Sequence, residues 1–196
     1  MFKYFKARRA EKQSAYLLYQ KLVEQARSVP FYKDYGVLDT IEGRFDMILL
    51  HLFLVDARLK SEEDASGDET CLGLRRHLQE AMVSDLDRSF REMGIGDMSV
   101  GKEMKKVGSA WLGRQDAYAA ALEDGAEADK LEQALANNLY DGVENPPLAY
   151  MAAYIRQAHT QLENTVLASV TGCDFSFPDP SQIDQNQPVM AQKGNL

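Results

Sequence analysis

The amino-acid sequence predicts an all-α protein, a single compact bundle of about six helices with a flexible C-terminal tail. Three observations carry that prediction. Apolar residues recur every three or four positions through residues 1–172, the spacing that lines one face of a helix. No stretch shows the sustained alternation of a strand. Glycine, proline and acidic clusters cut the periodic stretches into helix-length pieces. A chain of 196 residues is close to one domain, at about 150 residues per domain. We therefore assign residues 1–172 to one helical domain and 173–196 to the tail.

The elements follow in order. A first helix covers roughly 5–28, with Ala15, Leu18, Leu22 and Ala26 on one side. It stops before Pro30, because proline disfavours helical geometry in the residue preceding it. PFYKDYG is then an aromatic loop. A second helix covers about 40–60, started by Asp39 or Thr40, with Ile41, Phe45, Ile48, Leu52 and Leu59 in register. Within it the run MILLHLFLV, Met47–Val55, is apolar nearly all round, which marks a central, buried helix. SEEDASGDE, residues 61–69, reads as an acidic loop. A third helix reaches about Glu92 on a stripe of Leu74, Leu78, Met82, Leu86 and Phe90.

Met93-Gly-Ile-Gly96 stops that helix, since glycine readily takes the left-handed conformation that ends one. Asp97 and Ser99 are candidate caps for a fourth helix, Val100 to about Glu123, striped by Val100, Met104, Val107, Trp111, Tyr118 and Leu122. A fifth lies near 127–140 with Leu131, Leu135 and Leu139. Asn145-Pro-Pro147 opens a sixth, with Pro147 in the first turn; Leu148, Met151, Ile155, Leu162 and Val166 line it and Gly172 ends it. Beyond that point Pro, Gln, Asn and Asp occur without periodicity, the signature of a flexible tail.

Charge narrows the function classes. The net charge is −8, yet residues 1–122 carry 19 basic and 19 acidic side chains, and the excess lies entirely after them, with 3 basic against 11 acidic. A nucleic-acid binder carries a large basic surface, so no nucleic-acid partner is expected. The one basic concentration is the N-terminus, MFKYFKARR, where aromatics beside cations suit weak contact with an anionic membrane surface. The longest apolar run, nine residues, is far short of the roughly 20 a spanning helix needs. Cys71 and Cys173 form no C-x-x-C pair, which indicates neither zinc nor redox chemistry and fits a reduced, cytoplasmic protein.

Gly96-Asp-Met-Ser-Val-Gly101-Lys102 has the spacing G-x-x-x-x-G-K. A phosphate-binding loop also needs a buried strand before it and a Ser or Thr after the lysine to hold magnesium. Here amphipathic helix precedes the glycine and Glu103 follows the lysine. A carboxylate there repels phosphate, so the segment is a helix–helix turn.

Tests for catalysis also fail. There is no Glu-x-x-His and no Gly-x-Ser-x-Gly. Asp85 and Asp87 are two apart and point to different helix faces. His77 with Glu80, and His159 with Glu163, read as surface helix pairs, and His51 as a core or partner-facing histidine. We expect no enzyme activity, metal or cofactor. What turn-making leaves unexplained is a local cationic surface: Lys102, Lys105 and Lys106 lie off the apolar stripe, Arg114 is two turns on, and Arg91 sits before the turn. Such a surface suits an acidic segment of another polypeptide.

Residues 74–118, LRRHLQEAMVSDLDRSFREMGIGDMSVGKEMKKVGSAWLGRQDAY, resemble the ubiquinol–cytochrome c chaperone family. The shared phrase runs through Arg91–Asp97, Met98–Lys102, Met104-Lys105, Gly113-Arg114 and Tyr118, and LLHLFLVDARL at 49–59 is similar to the family's His-bearing helix. The resemblance implies a non-enzymatic assembly factor. It would bind newly made cytochrome b, work with a small partner protein and support assembly of ubiquinol–cytochrome c reductase, in the cytoplasm or peripherally at the inner membrane. The expected partner-binding residues are Arg91, Asp97, Lys102, Lys105, Lys106 and Arg114, with His51 and Arg58 near the central helix. Rival readings are a cytosolic all-α scaffold and a helical-bundle enzyme binding a small molecule or metal.

Overall fold

The structure, a computed structural model, describes residues 2–67 and 69–183, with side chains from Arg9 onward. The described residues form eight α-helices and one 3-10 turn and contain no strand. In order these are α1 (Phe2–Ala26), α2 (Val29–Lys33), α3 (Ile41–Ser66), α4 (Glu69–Glu92), α5 (Asp97–Leu122), α6 (Lys130–Asn138), α7 (Leu148–Asn164) and α8 (Leu167–Thr171), with the 3-10 turn at Pro180–Gln182. The all-α bundle predicted from the apolar spacing is the fold observed.

Helix α3 is the hub, packed against α1, α4, α5 and α7. Every residue from Met47 to Asp56 is buried, as the unbroken apolar run requires. Each buried Leu, Ile or Phe there contributes roughly 1.5–3 kcal/mol. The Thr40 hydroxyl starts the helix by accepting from the Gly43 amide at 3.1 Å. Position 43 has to be glycine: a Cβ there would lie 2.1 Å from the Leu38 carbonyl oxygen. Ile41, expected on the buried stripe, is exposed in the first turn.

Several boundaries differ from expectation for identifiable reasons. Helix α3 runs through the predicted acidic loop to Ser66. Its acids face cations one turn back, Arg58 with Glu62 and Lys60 with Asp64, and such i,i+4 pairs support a helix. Gly67, at φ 69°, then ends it in the left-handed region. PFYKDYG carries most of the short α2, whose Phe31 is buried, and the following Tyr35 donates to the Pro180 carbonyl at 2.7 Å. Helix α5 begins at Asp97, and its cap is Gly96, not the Asp97 or Ser99 side chain; the Ser99 amide donates to the Gly96 carbonyl at 2.8 Å.

The fifth helix is shorter than predicted, Lys130–Asn138. The sixth is broken in two at Thr165 and Val166, whose extended backbone leaves Val166 70% exposed. Arg58 braces the break, donating to Leu162 O at 3.1 Å and Thr165 O at 3.4 Å. Pro147 is the N-cap of α7 rather than part of its first turn. Residues 173–183, assigned to the tail from sequence, lie on the core: Phe177 and Pro180 are buried and Gln25 donates to the Pro178 carbonyl at 3.1 Å. The remainder of the expected tail, 184–196, lies outside the described residues.

Candidate partner-binding surface

The α4–α5 turn follows from its glycines. Gly94, at φ 78°, reverses the chain after α4, and the Ile95 amide returns to the Phe90 carbonyl at 3.0 Å. The turn brings Arg91, Asp97, Lys102, Lys105 and Lys106 to the hairpin tip and the first turns of α5. Their charge is partly cancelled locally. Arg91 donates to Asp87 at 2.8 Å and to Asp97 at 2.5 Å. That hydrogen bond holds the Asp87 carboxyl below its ordinary range. Lys106 donates to both Glu103 oxygens, at 2.9 and 3.0 Å. Lys102 and Lys105 are exposed and have no ion-pair partner among the described residues.

The other three predicted residues are placed elsewhere. Arg114 turns inward from α5, donating to Asp46 at 2.7 Å and to the Asn138 carbonyl at 3.2 Å. It borders a cavity of about 400 Å³ with Phe45, Val107 and Asn137. Burial outweighs the Arg114 guanidinium, so the Asp46 carboxyl is pushed up to about 6. His51 is fully buried and not on any surface. Its Nδ1 is 2.8 Å from the Met47 carbonyl and must carry the proton, so Nε2 accepts from the Tyr154 hydroxyl at 2.7 Å. Desolvation lowers its pKa to about 4, against the opposing pull of the Met47 carbonyl. Arg58, also buried, is the clamp on α7 described above.

Sequence reasoning missed a polar knot that joins α3, α4 and α5. Asp56 is buried in α3 and receives Arg75 of α4 bidentately, both bonds 3.0 Å, and Gln115 of α5 at 2.9 Å. Arg75 also donates to Glu63 at 2.6 Å. The available signal was an aspartate closing an apolar run, since a buried acid demands a partner. A groove of about 800 Å³ between α1 and α4, bordered by Tyr16, Arg27 and Arg88, was likewise not foreseen. In it Tyr19 donates to Asp85 at 3.1 Å, and His77, expected as half of a surface pair, keeps its contact with Glu80 at 2.9 Å but is itself buried.

The outward face of α5 is the least covered in the bundle. Of its 26 residues only Val100, Trp111, Tyr118 and Ala121 are buried. Met98 is 99% exposed and Leu112 62%. Gly101, Gly108 and Gly113 sit inside the helix with no atom within 4 Å of a Cβ position. Each exposed mid-helix glycine costs about 1 kcal/mol relative to alanine, and nothing in the chain's own packing requires any of the three.

Among the described residues no group of His, Cys, Asp or Glu is placed to hold a metal, and no helix is long and apolar enough to cross a membrane. Cys71 and Cys173 are not joined in a disulfide, and the first is buried. The sequence profile described as Ubiquinol-cytochrome C chaperone matches residues 33–172, which includes α3, the knot and all of α5. The chain belongs to the ubiquinol–cytochrome c chaperone family. This chaperone-family chain is also similar to a solved structure, the crystal structure of the Cbp3 homolog from Brucella abortus. The two are 33% identical, with a TM-score of 0.80 over 93% of this chain and 99% of that one. No curated protein matches the chain. The likeness covers more of the chain than the family match does.

Proposed function

We propose that this chaperone-family chain is a non-enzymatic assembly factor that binds newly made cytochrome b and supports assembly of ubiquinol–cytochrome c reductase. The observation that carries the reading is the surface of the α4–α5 hairpin. In a member of this family, Lys102 and Lys105 stand unpaired beside fully exposed Met98. Methionine is an adaptable apolar contact, and unpaired lysines recruit acidic groups through long-range attraction. Arg91, Asp97 and Lys106 frame that surface, while Arg114, His51 and Arg58 act beneath it by holding α5, α3 and α7 in place. A small partner protein shares the work, and the basic N-terminus keeps the complex near the cytoplasmic side of the inner membrane.

Removing the chain from its cells tests the reading. Newly made cytochrome b should turn over faster and the assembled reductase should fall, with restoration by the full-length gene. Unchanged cytochrome b synthesis, lifetime and reductase content in the deleted cells contradicts it.

A further inference from the structure

We propose that the outward face of α5 is a helix-docking surface. Its occupant is a partner helix with an apolar face and an acidic residue, seated over Gly101 and Gly108 with its carboxylate between Lys102 and Lys105. This deepens the reading above and rests on it for the identity of the partner.

The spacing defines the seat. Met98, Gly101, Lys105, Gly108 and Leu112 follow one another at intervals of three and four residues and are all exposed, so they form one continuous stripe. Exposed apolar side chains stand at its two ends. Between them the glycines leave the α5 backbone open, with no neighbouring atom over either. Two small residues seven apart, two helical turns and roughly 10 Å along the axis, let a second helix approach backbone to backbone.

The backbone chemistry selects a helix over an extended segment. The interior of α5 has its amides and carbonyls committed to its own hydrogen bonds, so it offers none to a docked strand. A strand buried there would leave its own backbone groups unpaired, whereas a helix satisfies them internally. Charge selects the acidic residue. Nearby Arg91, Lys106 and Arg114 already have carboxylate partners, while Lys102 and Lys105 on this face have none among the described residues. On a chain of net charge −8, two unpaired lysines, Lys105 within the stripe and Lys102 beside it, call for complementary charge from outside.

The test uses the full-length chain in cells, with a photo-crosslinking amino acid at Met98 or at Leu112, in the parent and in Gly108→Leu. Both positions should join a single helical segment with an apolar face and an acidic residue. Leucine is the better helix former, so Gly108→Leu should raise the melting temperature by about 2–4 °C. It should also cut the adducts about tenfold or more by filling the seat. Adducts that persist in Gly108→Leu, that map to an extended segment, or that join two copies of this chain overturn the proposal. Capture of cytochrome b without adducts from either position overturns it while leaving the proposed function standing. Adducts to a helix of another protein, lost in Gly108→Leu, support the docking surface and remove cytochrome b as its client.

Discussion

The Tyr154 hydroxyl of α7 donates to His51 Nε2 of α3 at 2.7 Å, inside a shell of Phe31 and Phe177. Gln25 of α1 donates to the same hydroxyl at 3.1 Å and to the Pro178 carbonyl. One chain of hydrogen bonds thus ties three helices and the C-terminal segment together. Tyr154→Phe should destabilise the fold by about 1–3 kcal/mol, because it leaves a buried acceptor unpaired. Urea denaturation at neutral pH measures the loss; an unchanged midpoint means the hydrogen bond contributes nothing net.

His51 and Asp46 should give opposing pH dependences. The folded pKa of His51, about 4, lies below the ordinary 6.5. The unfolded chain therefore binds more protons between those values, and stability is lost as pH falls from 6.5 towards 4. Asp46 is raised from 3.8 to about 6, so its contribution is full below pH 4 and is lost as pH rises towards 6. Asp46→Asn removes the second effect only. Its stability relative to the parent should increase between pH 4 and 6, by up to about 3 kcal/mol for a shift of this size. A constant difference across denaturation curves at pH 4, 5, 6 and 7 contradicts the assignment.

The Asp56–Arg75–Gln115 knot predicts a sharp asymmetry. Asp56→Ala leaves Arg75 in a mostly buried site without its bidentate partner and should cost about 3–5 kcal/mol. Replacing Asp56 and Arg75 together with leucine should cost distinctly less, since no fully buried charge is left unpaired and only the part-exposed Glu63 loses a cation. A double-mutant cycle read by thermal denaturation decides, and additive losses mean the pair is uncoupled.

Two glycines should respond in opposite directions to alanine. Gly43→Ala pushes a methyl into the Leu38 carbonyl and should cost about 1–3 kcal/mol. Gly101→Ala meets open space and should stabilise by about 0.4–1 kcal/mol. Melting temperatures moving the same way in both variants contradict the packing described at position 43.

These comparisons show where local sequence information ends. The stripes Leu74–Leu78–Met82–Leu86 and Val100–Trp111–Tyr118 are buried as their spacing predicts, because helical periodicity is a local property. The run at Met47–Val55 likewise announced the hub. The end of α3 was misplaced because its acids look like a loop until their i,i+4 cations are counted. The break at Thr165 depends on Arg58, 107 residues away, and the tyrosine partner of His51 is 103 residues away. No local pattern contains such pairings. The hairpin carrying Lys102 and Lys105 was legible for the opposite reason: its glycine turn and exposed lysines are close together in the chain.

The most direct measurement is capture of pulse-labelled cytochrome b by the tagged full-length chain, compared with Lys102→Glu/Lys105→Glu/Lys106→Glu. These positions are exposed, and Lys106 loses only a surface pair worth about 0–1 kcal/mol. The variant should keep its helicity and melting temperature while capture falls about tenfold or more. Equal capture by the folded variant and the parent would contradict the claim that this face of the α4–α5 hairpin holds the client.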